Sequence, residues 1–271
     1  MIRLLQISDT HFGTERPEVM NAISQLCAEH KPDLVILSGD ITQRARRGQF
    51  AAAREFTNQL HAPLLSVPGN HDLPLFNLFA RAFSPYGNYR RFFGHDLEPE
   101  FETEQLLVIG VNSTRTRRHK DGELSDQQIT RVAQRLKQAS PEQLRVVVQH
   151  HPVRAIEASD TANLIIGREK AVPAWVDAGM DLVLAGHIHL PYVLPLYGQQ
   201  GEDGRQAWTV QAGTAVSERV RGEISNSVNL ICYQSIQSNL ECVVERWDYV
   251  HGSQRFESAL STAVAISRDR T

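Results

Sequence analysis

Leu64-Leu65-Ser66-Val67-Pro68-Gly69-Asn70-His71-Asp72 sets four residues of strand character against a proline, a glycine, then an amide, an imidazole and a carboxylate. A short apolar run stopped by Pro-Gly reads as a buried strand. The same pattern occurs twice on the amino-terminal side. Ile2 to Ile7 ends at Ser8-Asp9-Thr10-His11, and Leu34-Val35-Ile36-Leu37 ends at Ser38-Gly39-Asp40. Between these runs, Val19 to His30 carries apolar residues at helical spacing (Val19, Ile23, Leu26, Cys27), and Gln49 to Leu60 reads as a second helix. Strand, helix, strand, helix, strand opens a mostly parallel α/β sheet, whose ligands gather at the carboxyl ends of the strands.

Towards the carboxyl terminus the pattern continues. Leu106 to Val111 runs into Asn112, Arg145 to Gln149 into His150-His151-Pro152, and Leu182 to Ala185 into Gly186-His187-Ile188-His189. Ser125 to Gln138 predicts a helix with Ser125 as N-cap and Ile129, Val132, Ala133 and Leu136 on its apolar face. Ala207 to Val210, Ser227 to Tyr233 and Leu240 to Trp247 are strand-like, with no clear helix between them. So many short strands exceed one comfortable sheet, and two sheets are expected. Residues 73–100 are aromatic-rich and irregular, and their rings (Phe76, Phe79, Phe83, Tyr86, Tyr89, Phe92, Phe93) are expected to pack as core or loop. No linker, repeat or low-complexity tract interrupts the chain, so residues 1–271 are expected to form a single domain.

The composition, 41% hydrophobic and 22% charged, is that of a soluble globular protein. A formal net charge of −3 argues against a general duplex nucleic-acid binder. Cys27, Cys232 and Cys242 show no C-x-x-C spacing, which points away from a disulfide scaffold or a zinc knuckle. The amino terminus is already in a polar motif at Asp9, so no signal peptide is read; no run approaches a membrane span, and the cytoplasm is the expected location.

Five clusters carry the chemistry: Asp9-Thr10-His11, Gly39-Asp40, Gly69-Asn70-His71-Asp72, His150-His151-Pro152 and Gly186-His187-Ile188-His189. Each alone reads as an ordinary turn; all five, each following a strand, read as ligands converging on one place. In an extended segment residues i and i+2 point the same way, so Asp9 with His11, and His187 with His189, can each reach one site together. Gly39, Gly69 and Gly186 permit sharp turns and close backbone approach beside them. The donor set is nitrogen and oxygen without sulfur. That suits manganese, iron or zinc better than copper(I), calcium or magnesium alone. Asp9, His11, Asp40, Asn70, His150, His187 and His189 are too many ligands for one tetrahedral ion, but fit two ions sharing a carboxylate.

The order Asp-x-His, Gly-Asp, Gly-Asn-His-Asp, His-x-Pro, Gly-His-x-His over positions 9–189 resembles the calcineurin-like metallophosphoesterase superfamily. The resemblance implies a four-layer αββα sandwich of two mixed β-sheets flanked by helices, with two divalent metal ions per chain and phosphoester hydrolysis. It implies that Asp9, His11, Asp40 and His189 hold one metal, and that Asp40, Asn70, His150 and His187 hold the other, with Asp40 bridging. The His-x-Pro pattern favours His150 over His151. His71 would stand near the scissile phosphate as a catalytic residue, with Asp72 orienting it. The compact length and the His-His-Pro form are most similar to the bacterial class III cyclic nucleotide phosphodiesterases. Ala212-Gly213-Thr214-Ala215, Arg219, Arg221 and Asn226 resemble a further bacterial branch. The expected partner is a small phosphodiester such as a cyclic nucleotide, reached through an open cleft because no sizeable cap is inserted. Phosphomonoesterase or single-strand nuclease activity at the same site is the alternative, and a non-catalytic scaffold disfavours itself by retaining every ligand. Two basic runs, Arg44, Arg46 and Arg47, and Arg115, Arg117, Arg118, His119 and Lys120, flank the motifs, and Arg44, Asn112 and Arg115 are the candidate substrate-binding residues. His30, His61, His95, His119 and His251 are expected to be surface or structural.

Overall fold

A computed structural model describes residues 1–236 and 239–268. Its first sheet contains β1 (Ile2–Ile7), β2 (Leu34–Ser38), β3 (Leu64–Val67), β10 (Ser227–Ile236), β11 (Asn239–Val250) and β12 (Arg255–Val264), in the order β12-β11-β10-β1-β2-β3. The second contains β4 (Glu100–Thr103), β5 (Leu106–Gly110), β6 (Leu144–Val148), β7 (Leu182–Ala185), β8 (Tyr192–Gly198) and β9 (Gly201–Gln211), in the order β4-β5-β6-β7-β9-β8. Both sheets are mixed. β1, β2 and β3 pair in parallel, as do β5, β6, β7 and β9, and the remaining pairings are antiparallel.

The central strands are apolar throughout because both of their faces are covered. In β1 the side chain of Leu4 enters the core between the sheets, while Leu5 and Ile7 face the helices α1 (Pro17–His30) and α2 (Arg47–Gln59). In β5, Leu106 and Val108 point to the other sheet and Leu107 and Ile109 to α5 (Asp126–Lys137) and α6 (Arg168–Asp177). Strand periodicity thus builds three cores between four layers, the expected αββα sandwich. α5 begins as anticipated: Ser125 Oγ accepts from Gln128 N at 3.2 Å. Among the described residues no helix is long and apolar enough to cross a membrane.

Several elements lack a strong sequence signal. Residues 73–100 are not irregular but contain α3 (Leu78–Phe83) and α4 (Gly87–Phe93). Their aromatics divide: Tyr89, Phe92 and Phe93 surround Phe50 of α2, whereas Phe76, Phe79 and Phe83 are mostly exposed. β4, β8 and β12 are sheet edges, where one partner suffices and polar residues or Pro195 are tolerated. α6 carries Pro173 in its interior.

Candidate metal centre

The seven candidate ligands sit at one rim of the sandwich. Asp9, Asp40, His150 and His187 each stand two residues beyond the last residue of β1, β2, β6 and β7, and Asn70 follows β3 in a short 3-10 turn (Asn70–Asp72). The carboxyl ends of parallel strands from both sheets therefore supply the site. Asp9 N donates to Gly39 O and His11 N to Asp40 O, so the first two ligand turns are bonded to each other.

These turns are not extended. Asp9, His11, Asp40, His187 and His189 all have positive φ, between 42° and 77°. Such backbone costs of order 1–3 kcal/mol per residue and persists where surrounding structure imposes it. It also corrects the expectation that His187 and His189 share one environment, while Asp9 and His11 do stay together. Asp9, His11 and His189 place ligand atoms within 4.8 Å of one another, whereas His187 groups with Asp40 and His150. The glycines serve two purposes. Gly39 has a φ of +92°. At Gly69 and Gly186 the need is space, since a Cβ would stand 2.3 Å from Asp40 Oδ1 and 2.4 Å from Asp9 Oδ2 respectively.

The atoms that face inward fit cations. Ligand atoms about 2.1 Å from one ion, at tetrahedral to octahedral angles, lie roughly 3.0–3.4 Å apart. His11 Nε2 and His189 Nε2, His189 Nε2 and Asp9 Oδ1, and His150 Nε2 and Asp40 Oδ1 are each 3.2 Å apart. Two more inward atoms, Asn70 Oδ1 and His187 Nδ1, are buried without any hydrogen-bond partner. Leaving such atoms unpaired costs roughly 1–3 kcal/mol each, a cost that coordination removes. The outer partners set the tautomers. His150 Nδ1 donates to Ser38 O at 2.9 Å and His189 Nδ1 to Arg219 O at 2.6 Å, which turns each Nε2 inward as an acceptor. Ser8 Oγ donates to Asp9 Oδ2 at 2.7 Å, and His187 N donates to the same carboxylate.

Electrostatics tie the site to protons when no cation is bound. Burial alone would lower His150, but the Asp40 and Asp9 carboxylates raise it from its ordinary 6.5 to about 9. His189 is raised in the same way, chiefly by Asp9 overcoming burial, whereas burial lowers His11 and His187 to about 3. A ring that is protonated in the metal-free protein must lose its proton to coordinate. Metal binding near neutral pH should therefore release protons, and metal affinity should rise as the pH climbs towards about 9. The folded metal-free protein, conversely, gains stability from His150 below pH 6.5 and loses it as the pH passes through about 9. Calorimetric titration of metal into the metal-free protein in two buffers of different ionisation enthalpy measures the release; identical heats would contradict it.

His71 is half-buried beside the cluster, with its ring edge-on to His11 at a centroid distance of 4.9 Å. The expectation that Asp72 orients it is corrected. The buried Asp72 carboxylate accepts from Ile41 N, Thr42 N, Thr42 Oγ1 and Gly69 N, and so clamps the Asp40 turn to the Asn70 turn. His71 Nδ1 instead donates to Gln43 O at 3.0 Å. His151 points away: Ser113 Oγ and Lys120 O occupy its two ring nitrogens at 2.8 Å each. Arg44 is exposed over the Phe76 ring at 5.6 Å and lines a small cavity with Asn70 and His71; His119, expected to lie outside the site, lines it too. Asn112 and Arg115 do not face the ligands. They line a separate cleft of about 620 Å³ with Glu98 and Arg131, and Arg115 Nη1 donates to the carbonyls of Asn112 and Thr114. Gln43 and Arg219 were not anticipated as site residues. Arg219 Nη1 lies 3.3 Å from His71 Nε2 and 3.0 Å from Gln43 Oε1.

The sequence model of the calcineurin-like phosphoesterase family matches residues 2–191. The chain belongs to that family. As a calcineurin-like phosphoesterase it is a metal-dependent hydrolase of phosphoesters, and two kinds of relative bracket it. It is 29% identical over 199 residues to a probable glycerophosphodiester phosphodiesterase, GpdQ, of Arcobacter nitrofigilis, a match that covers 69% of this chain and 71% of the relative. It is 28% identical over 169 residues to a probable cyclic nucleotide phosphodiesterase of a Synechococcus species, covering 61% of each chain. The fold resembles a dimetal phosphatase from Danio rerio with a TM-score of 0.67 at 13% identity, covering 98% of this chain and 99% of that one.

Proposed function

We propose that this phosphoesterase is a phosphodiesterase for a small substrate such as a cyclic nucleotide, working through two divalent cations of the manganese, iron or zinc kind. The observation that carries the reading is the Asp40–His150–His187 group, with Asn70 Oδ1 and His187 Nδ1 buried and unpaired, beside the Asp9–His11–His189 group. Asp9, His11, Asp40 and His189 would hold one ion and Asp40, Asn70, His150 and His187 the other. When bound, such a pair supplies an activated water and stabilises charge on the phosphoryl oxygens. The chain's own residues do the rest. Ser8, Ser38 and the Arg219 carbonyl aim the ligands, Asp72 locks two ligand turns together, and His71 stands where it can pass a proton to the departing oxygen. The diester preference is supported by the diester activities for which the two sequence relatives are named. A cytoplasmic setting suits the three free cysteines.

Purified, metal-loaded protein should contain close to two such ions, lose activity in chelator and recover it on adding manganese, iron or zinc. In a panel of bis-p-nitrophenyl phosphate, p-nitrophenyl phosphate, cyclic nucleotides and single-stranded DNA, kcat/KM should be higher for diesters than for the monoester. A monoester preference would establish a phosphatase instead, and full activity without metal would end the reading.

A further inference from the structure

The loop between β9 and β10 carries Arg219, Arg221 and Asn226, residues that neither the ligand set nor the sandwich requires. It is firmly anchored. Fully buried Asn226 donates to Ser217 O at 2.8 Å and accepts from Arg16 Nη1 at 3.2 Å. Arg221 Nη1 bonds both oxygens of Asp160, at 2.9 and 2.8 Å, and also Ile188 O at 3.0 Å. Ile188 lies between His187 and His189, so this loop is bonded directly to that candidate ligand turn. Within it, Thr214 Oγ1 donates to Arg219 O at 2.8 Å, the same carbonyl that orients His189.

The Arg219 side chain, thus fixed at its root, reaches back over the site. Its Nη1 lies 3.0 Å from Gln43 Oε1, 3.3 Å from His71 Nε2 and 3.4 Å from His11 Nδ1. Among the described residues no carboxylate pairs with it, unlike Arg221 beside Asp160 and Glu157. Gln43 positions two groups at once: its backbone carbonyl holds His71 Nδ1 and its side-chain oxygen holds Arg219. A guanidinium with no carboxylate partner among the described residues, at the mouth of a phosphoester site, is placed to bond an incoming anion.

We propose that Arg219, held by Gln43 beside His71, forms an anion subsite for a non-bridging oxygen of the substrate's phosphoryl group and leaves His71 Nε2 to the departing oxygen. The subsite rests on the phosphoesterase reading of the adjacent ligands, and the contact between Arg219 and His71 is the arrangement that the anion replaces. Inorganic phosphate is the probe, titrated calorimetrically into metal-loaded wild type, Arg219→Ala, Arg219→Lys, His71→Ala and the Arg219→Ala/His71→Ala double variant, with metal content measured on each. Arg219→Ala should keep its metals and bind phosphate about 10–100-fold more weakly, the loss of a charge-assisted hydrogen bond. Its KM for a diester should rise more than its kcat falls. Arg219→Lys should recover only part of the affinity, since an ammonium replaces the charge but not the fork. Arg219→Gln carries the same expectation as alanine and serves if the alanine variant folds poorly. Phosphate affinity within about twofold of wild type, with metals intact, would overturn the subsite. Loss of metal from Arg219→Ala would assign the residue to holding His11, and no further effect of Arg219→Ala in the His71→Ala background would reduce it to a brace for that ring; either result overturns the proposal. Phosphate binding decides the matter even if no ester in the panel is hydrolysed, so this proposal and the diesterase reading fail separately.

Discussion

Asp40→Asn should lose metal under a dialysis that leaves Asn70→Ala still partly loaded. The two residues are both candidate oxygen ligands, but they face different surroundings. Asp40 Oδ1 lies 3.2 Å from His150 Nε2, and its Oδ2 lies 3.7 Å from His11 Nε2, so one carboxylate addresses both ligand groups. Burial would push its carboxyl up, yet the surrounding His150, His71 and His11 rings hold it well below the ordinary carboxylate range. It is therefore ionised and able to neutralise two cations. The amide of Asn70 offers one neutral oxygen to one ion. Asparagine at position 40 would keep a single oxygen and turn an NH2 group towards a ring or an ion that needs an acceptor. Outer partners of ligands alone are worth about 10–100-fold in metal affinity. Removing a shared carboxylate should exceed that, because each ion loses a ligand and a charge together. Activity should fall in step with metal content. Elemental analysis of both variants after identical dialysis, with circular dichroism to establish folding, makes the comparison. Equal retention would mean that Asp40 does not bridge.

The legibility of this site in the sequence has a physical pattern. Strands buried on both faces must be apolar runs, so β1, β2, β3, β5, β6 and β7 were readable, and the candidate ligands two or three residues past them could be located by counting. β3 is an edge strand but is covered, whereas the edges β4, β8 and β12 keep exposed or half-exposed positions and left little trace. The candidate turns follow these strands, but their backbone is left-handed and not extended. An i, i+2 argument presumes extended chain, whereas left-handed residues at 187 and 189 send those two rings to different groups. Asn112 shows why position past a strand is insufficient. It follows β5 just as His150 follows β6, but β5 lies on the far side of β6 from β7, one strand further from the ligand turns. From there Ser113 Oγ bonds the His151 ring and accepts from the His150 backbone N. Arg219 had no such marker: it lies on a loop, and what brings it to His71 is the anchoring of Asn226 and Arg221.

His71→Ala should lose roughly 10²–10⁴-fold on an alkyl or nucleoside ester, the usual range for general acid catalysis, and clearly less on p-nitrophenyl esters. The ring is fixed from behind, with Nδ1 bonded to Gln43 O at 3.0 Å, and its backbone N donates to Asp40 Oδ1 at 2.8 Å. That leaves Nε2, 3.3 Å from Arg219 Nη1, as the ring nitrogen for a substrate to meet. A proton carried there meets its greatest use when the departing oxygen is an alkoxide, which leaves poorly without one. p-Nitrophenolate departs as a stable anion and gains little from protonation. Electrostatic stabilisation of the phosphoryl oxygens, by contrast, would help both esters alike, because both develop the same charge on the phosphorus side. The ratio of the two losses separates these roles without reference to absolute rates. One structural consequence must be checked alongside it. The His71 backbone amide, not its ring, bonds Asp40, so alanine keeps that bond and the metals should remain. Equal losses on the two ester types, with metal content unchanged, would exclude proton transfer by His71 and leave the ring as a partner for the substrate's charge.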